Sequence, residues 1–291
     1  MKPGPDATRG MLLAVAAYGL WGFAPAYWKL LRAAPASELL AQRVVWSLVV
    51  GALLIAITGR WRELAGVLRS GRQLLPIVIS SLLIGVNWLI FLEAVGSGRV
   101  LATSLGYFLN PLVSVLLGVV FLGERLTRGQ GVAVAIGCAG VGVWAVDLGE
   151  APWIALSLAA SFGLYGLVRK VASVAPLVGF TLETLLLTPP SLVYLATLAA
   201  QDGMTLPHES LGVKALVVGA GVITAAPLLC FTSAARRLPL STLGFFQYLA
   251  PSISFLLAVG LYEEPFGRTQ AIAFSCVWAA LALFSFASRP R

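Results

Sequence analysis

Long apolar runs, separated by short polar stretches, repeat along this chain with the length of a bilayer crossing. Stretches of about 20 apolar residues are what a helix needs to span hydrocarbon. Ten such stretches are present, near 11–31, 37–58, 74–96, 100–122, 128–147, 152–170, 177–199, 213–235, 240–262 and 267–288. Lipid offers the backbone no hydrogen bonds, so runs of this length predict helices rather than barrel strands. The longest connections, 59–73 and 200–212, are too short for a soluble domain. Residues 11–28 have an Ala24-Pro25-Ala26 sequence that could pass for a cleavage site. Yet the run is long and carries Tyr18, Trp21, Tyr27 and Trp28, so it is assigned as the first span. The expected fold is all-α and membrane-integral.

The pattern is written twice. Residues 91–130 read FLEAVGSGRVLATSLGYFLNPLVSVLLGVVFLGERLTRGQ, and residues 231–270 read FTSAARRLPLSTLGFFQYLAPSISFLLAVGLYEEPFGRTQ. Without a gap, Phe91 falls on Phe231, Pro111 on Pro251, Ser114 on Ser254 and Glu124 on Glu264. Upstream, Tyr18-Gly19-Leu20-Trp21-Gly22 answers Phe162-Gly163-Leu164-Tyr165-Gly166. The halves are therefore 11–147 and 152–288, with five spans each. An odd number of spans turns the second half upside down relative to the first, the construction that suits alternating access.

Charge supports this topology. With 59% hydrophobic and only 11% charged residues, and a mean hydropathy of +0.91, the chain lacks the roughly 25% charge of a soluble domain. Of the 20 Lys and Arg residues, fourteen cluster on one side of the predicted spans. These are Lys2, Arg9, Arg60, Arg62, Arg69, Arg72, Arg125, Arg128, Arg169, Lys170, Arg236, Arg237, Arg289 and Arg291. Lys29, Arg32, Arg99, Lys214 and Arg268 fall on the other. Basic loops stay inside, so both termini are expected in the cytoplasm. The net charge of +8 then reports topology and contact with anionic headgroups, not nucleic acid.

Several chemistries have no residues to run them. There is no GxxxxGK[ST] phosphate loop, no GxSxG elbow and no HExxH pair. Asp6, Asp147 and Asp202 lie at span ends or in loops. His208 is the lone histidine, and Cys138, Cys230 and Cys276 are isolated within apolar runs, where they suit packing. No enzyme activity and no cofactor is expected.

Prolines and buried charges supply the candidate site. Pro111 and Pro251 occupy equivalent mid-span places, and each removes one helical hydrogen bond. They are either packing kinks or paired hinges that line a central cavity. Three charges sit within spans, where insertion costs roughly 2.5–3.5 kcal/mol: Arg43, Glu93 and Glu183. Arg43 lies roughly 9 Å deep from the outer face, and Glu93 roughly 5 Å deep from the same side. Glu183 matches the depth of Arg43 from the cytoplasmic face. Arg43 and Glu183 are 140 residues apart, the repeat offset, so inversion puts them in opposite thirds of the bilayer. Glu93 is the expected partner of Arg43 unless it snorkels to the interface, and Arg169 or Lys170 that of Glu183. Arg43 offers a donor fork for a carboxylate, and Glu183 an acceptor or proton site. Tyr18, Trp21, Trp46, Asn87, Trp88, Ser104, Tyr107, Asn110, Tyr165, Phe245, Gln247 and Tyr248 complete the candidate binding and translocation set. Trp61 and Trp153 are read as interfacial belt residues, while Trp28 fits either role.

These residues resemble a known family. The block Ala94…Pro111…Gly123-Glu124-Arg125-Leu126, with its weaker copy ending in Glu263-Glu264, resembles the EamA repeat of the drug/metabolite transporter superfamily. Ala17-Tyr18-Gly19-Leu20-Trp21-Gly22, Glu38-Leu39-Leu40-Ala41-Gln42-Arg43-Val44-Val45-Trp46-Ser47, Gly106-Tyr107-Phe108-Leu109-Asn110-Pro111-Leu112, Leu182-Glu183-Thr184-Leu185 and Phe246-Gln247-Tyr248-Leu249-Ala250-Pro251 are similar to its RarD branch. Pro265 stands where the repeat usually carries Arg-Leu. The resemblance implies a ten-helix bacterial inner-membrane transporter, by expectation an exporter of a small amphipathic or drug-like molecule, with protons as a candidate coupling ion. A membrane scaffold that transports nothing is the alternative.

In a cysteine-free background, Arg69→Cys and Asp202→Cys should label with an impermeant maleimide from opposite sides of the membrane. Labelling of both from one side overturns the topology.

Overall fold

The computed structural model describes residues 5–31, 34–97, 99–147, 153–261 and 267–287, and among them the regular structure is helical throughout. The first half contains α1 (Pro5–Lys29), α2 (Ala36–Thr58), α3 (Trp61–Arg69), α4 (Gly71–Gly96), α5 (Val100–Leu122) and α6 (Arg128–Asp147). The second contains α7 (Trp153–Val171), α8 (Pro176–Ala200), α9 (Leu211–Ala235), α10 (Leu240–Gln247), α11 (Leu249–Gly260) and α12 (Arg268–Ala287). Among the described residues nine helices are long and apolar enough to cross a membrane, and Ala271–Ala287 of α12 is a shorter apolar helix. Leu53, Leu82, Leu89, Leu116 and Val120 point outward from the bundle, as lipid-facing side chains must.

Two connections hold structure that the apolar pattern does not mark. Residues 61–69 form α3, whose Trp61 and Leu68 are exposed and whose entry carries an Arg60–Glu63 ion pair of 3.0 Å. Nine residues cannot span a bilayer, but a helix with one apolar and one charged face suits its surface. Within 200–212, Leu206–His208 forms a 3₁₀ turn. Glu38, fully buried at the start of α2, accepts from the amides of Thr205 (3.0 Å) and Leu206 (3.1 Å) and fixes that turn.

The packing is reciprocal between the halves. α1 packs on α9 as α4 packs on α7, and α1 packs on α11 as α7 packs on α5. α2 meets α8, α5 meets α10, and α6 meets α12. Close backbone approach sets the central pair: a Cβ added to Gly244 of α10 would come 2.8 Å from the Pro111 carbonyl oxygen of α5. Where dispersion rather than the hydrophobic effect joins helices, small residues at such crossings let the backbones meet.

The two prolines act differently. α5 runs unbroken through Pro111. The equivalent span is divided into α10 and α11 at Tyr248, whose amide bonds back to Phe245 (3.2 Å) in a tightened turn three residues before Pro251. Pro251 has no N–H for the Gln247 carbonyl, so the chain changes pitch there.

Gly123 and Glu124 now have distinct physical roles. Gly123 stops α5 in the left-handed region, φ 64°, where a Cβ would be strained. Glu124 then crosses to the other half. It accepts from the Leu240 amide (2.5 Å), the Ser241 amide (2.8 Å) and the Ser241 hydroxyl (2.6 Å). The residue at the α10 N-cap is Pro239, which has no side-chain hydrogen bond to offer. Glu124 therefore satisfies orphan donors and meets the positive end of the helix dipole. Its repeat mate Glu264 lies outside the described residues. Glu124→Ala should cost about 1.5–3 kcal/mol, read as a lower unfolding midpoint in detergent, with Glu124→Gln intermediate. An unchanged midpoint would show that α10 does not depend on this cap.

Candidate functional site

The two copies of the aromatic motif meet inside the bundle. Tyr18 and Trp21 come from α1, and Phe162 and Tyr165 from α7. Trp21 lies 5.9 Å from Phe162, and both reach Phe231 of α9, at 5.8 and 5.3 Å. Tyr18 meets Phe231 edge-on at 6.1 Å, while Tyr165 stacks on it at 6.0 Å. Phe231 was not among the predicted site residues, although it opens the second copy of the repeat.

Beneath this cluster sits a buried ion pair. Arg169 of α7 and Glu183 of α8 approach to 3.4 Å, with side-chain exposures of 0% and 4%. Glu183 also accepts from Ser80 of α4 at 2.5 Å and from the Tyr165 hydroxyl at 3.2 Å. Three helices thus converge on one carboxylate. Arg169 is the expected partner; Lys170 instead donates to the carbonyls of Ala235 (3.1 Å) and Leu238 (2.5 Å) at the end of α9. The Arg169 guanidinium fits because residue 179 is glycine: a Cβ there would fall 2.3 Å from its nitrogens. Its contact with Glu183 is Coulombic rather than bidentate, since none of its three nitrogens has hydrogen-bonding geometry to a partner.

The other intramembrane cation is handled differently. Arg43 of α2 lies over the indole of Trp88 at 4.4 Å and that of Trp28 at 5.6 Å. Glu93 does not meet it: that carboxylate is exposed, as snorkelling would have it, and among the described residues no ion pair joins the two. Tyr107, 47% exposed although it belongs to the central helix α5, is within electrostatic reach of Arg43 and stands 6.3 Å from Phe91.

The remaining candidates divide among four settings. Gln247 donates to Ser114 of α5 at 2.8 Å, with Tyr18 beside it. The Oε1 of Gln247, the Oδ1 of Asn110 and the hydroxyl of Tyr18 are buried without partners. Asn87 is committed to packing, donating to the Leu158 carbonyl and the Ser161 hydroxyl of α7, both at 2.9 Å. Phe245 stacks on Phe284 of α12 at 3.6 Å, and Tyr248 turns toward Phe108 and Gly137, so both face the α6–α12 side of the core. Trp46 borders a cleft of about 220 Å³ with Gln42, Lys214 and Val218, and Trp88 one of about 240 Å³ with Ser37, Leu187, Pro190 and Tyr194. Both clefts lie on the flanks of α2. The Ser104 side chain lies outside the described residues. Among those residues no cluster of His, Cys, Asp and Glu could hold a metal ion.

Relatives place this arrangement. The EamA-like transporter family matches residues 8–145. A Vibrio cholerae protein described as an uncharacterized transporter is 48% identical over 96% of this chain and 93% of its own. The RarD protein of Escherichia coli K12 is 45% identical over 95% and 93%. The chain belongs to the RarD branch of the EamA-like transporter family. A chloramphenicol-sensitive protein RarD of Pseudomonas aeruginosa is 34% identical over 94% of the chain. A crystal structure 21% identical in sequence superposes over 97% of this chain and 99% of its own, with a TM-score of 0.72, and so shares the fold. The RarD-branch motifs thus include members of the aromatic cluster, Glu183 and Arg43.

Neutralising Glu183 alone leaves Arg169 buried without a counter-charge. Glu183→Gln should therefore destabilise the protein by about 3–5 kcal/mol. Combining it with Arg169→Met should recover most of the loss, measured as unfolding midpoints in a double-mutant cycle. Additive losses would show that the two charges act independently.

Proposed function

We propose that this protein is a secondary transporter that moves a small amphipathic metabolite across the bacterial inner membrane by alternating access, with export as its direction. Its family supports transport. The observation that carries the mechanism is the reciprocal packing of the halves, α1 on α9 and α4 on α7, around one shared aromatic cluster. Residues 11–147 and 152–288 would be the inverted repeats, ten spans in all, with both termini in the cytoplasm.

In this reading the substrate passes between fixed charges held at two depths. Glu183, tied to α4 through Ser80 and to α7 through Tyr165 and Arg169, reports the relative positions of three helices. Rocking one half against the other must change those contacts. The Tyr248 break before Pro251, with Pro111 opposite in α5, provides the hinge. Asn110, Gln247 and Tyr18 present polar atoms between the halves. No catalytic step is required, and the energy comes from the substrate gradient or from a coupled ion, with protons the candidate.

Transport is tested by counterflow. Vesicles containing purified protein, preloaded with unlabelled candidate metabolites, should transiently accumulate external labelled solute. A non-transporting scaffold would give empty-vesicle rates for every solute. Glu183→Gln combined with Arg169→Met keeps a folded bundle but loses the charge contact, and should slow exchange at least tenfold (a change of about 1.4 kcal/mol).

A further inference from the structure

We propose that Arg43 is the anion-binding group of the translocation path, and that the transported solute is a monocarboxylate carried on an apolar, ring-sized body. This deepens the transporter reading and rests on it. The bundle treats its two intramembrane arginines in opposite ways. Arg169 is neutralised by Glu183 at 3.4 Å. Arg43 lies among indole faces, and no carboxylate of the described residues forms an ion pair with it. Its Nε is buried and has no acceptor. An uncompensated cation within a span is costly to keep, and a visiting anion removes that cost.

Geometry selects the kind of anion. The indoles of Trp28 and Trp88 hold the Arg43 Cζ over their rings at 5.6 and 4.4 Å, a contact that balances charge only in part and accepts no hydrogen bond in the guanidinium plane. The Nε donor has no acceptor among the described residues, and the planar fork to which it belongs matches the width of a carboxylate. One guanidinium balances one negative charge. A phosphate dianion would leave a second charge uncompensated. An ammonium group would meet Arg43 as a like charge, and Glu93 is turned to the exterior. The side chains near Arg43 are aromatic, Trp28 and Trp88 beside it and Tyr107 with Phe91 6.3 Å from that ring, and would suit an apolar body of one ring.

The test is calorimetric titration of the purified full chain in detergent with acetate, phenylacetate and cyclohexylacetate, alongside phenethylamine and inorganic phosphate. Phenylacetate and cyclohexylacetate should bind saturably and quench tryptophan fluorescence; acetate should bind far more weakly, and the amine and phosphate not at all. Arg43→Gln should weaken carboxylate binding at least tenfold. Arg43→Lys, which keeps the charge and safeguards against misfolding of the neutral variant, should fall between. Equal binding by Arg43→Gln, equal binding of the amine, or binding of no carboxylate by the wild type overturns the proposal. Counterflow separates this from the transporter reading. Arg43-dependent binding without exchange supports the subsite and defeats transport. Exchange of another solute with no carboxylate binding supports transport and defeats the subsite.

Discussion

Lipid supplies no hydrogen bonds and almost no dielectric screening, so a carboxylate carried into the bundle is costly unless donors are brought to it. That constraint explains the surroundings of three carboxylates. Glu183 gathers Ser80, Tyr165 and Arg169 from two other helices. Glu38 holds two amides of the 205–206 turn, and Glu124 holds the start of α10. Each of these carboxylates joins elements far apart in sequence, because a local helix has no spare donors to give one. The polar network therefore fixes helix positions more than it adds net stability.

Backbone proximity sets the second level of order. Gly179 leaves room for the Arg169 guanidinium, and Gly244 lets α10 reach the Pro111 carbonyl. In both cases a methyl group would force apart elements that must touch. Gly22, Gly140 and Gly221 stand at further close approaches, while Gly59 and Gly123 serve separately as left-handed caps.

Much of this was legible in the sequence, and the limits are physical. The spans at 100–122 and 128–147 coincide with α5 and α6, because apolar length is a local property. The 140-residue offset between Arg43 and Glu183 was legible for the same reason, as was the echo that brings Trp21 and Phe162 together. α3 was not, since a nine-residue amphipathic helix carries no long apolar run. The capping role of Glu124 was hidden because its acceptor atoms serve α10, 116 residues away. Trp28 stood between belt and interior until its distance to Arg43 was known, and Glu93 could not be excluded as a partner from depth alone. Contacts between halves depend on which helix faces meet, and a single helix pattern does not encode that.

Links between the halves lie at both ends of the bundle, and they differ in the groups they use. At the end that carries the α10 N-terminus, Glu124 binds α10 and Lys170 binds the last carbonyls of α9. Asp6 of α1 pairs with Arg237 at 3.0 Å. The Glu124 and Asp6 contacts stitch first-half segments to second-half segments, and Lys170 joins α7 to α9 within the second half. The end that carries Glu38 and Arg43 is stitched as well, by Glu38 to the 205–206 amides, by Tyr194 to Ser37 and by Tyr27 to the Leu216 carbonyl, whereas Arg43 itself meets indoles and no carboxylate of the described residues. Both ends are thus joined across the halves, and what distinguishes the Arg43 region is a cation that these contacts leave without a carboxylate. A ligand can change that balance only through differential affinity for the two arrangements. The unpaired guanidinium is the group whose contacts a bound anion would alter most.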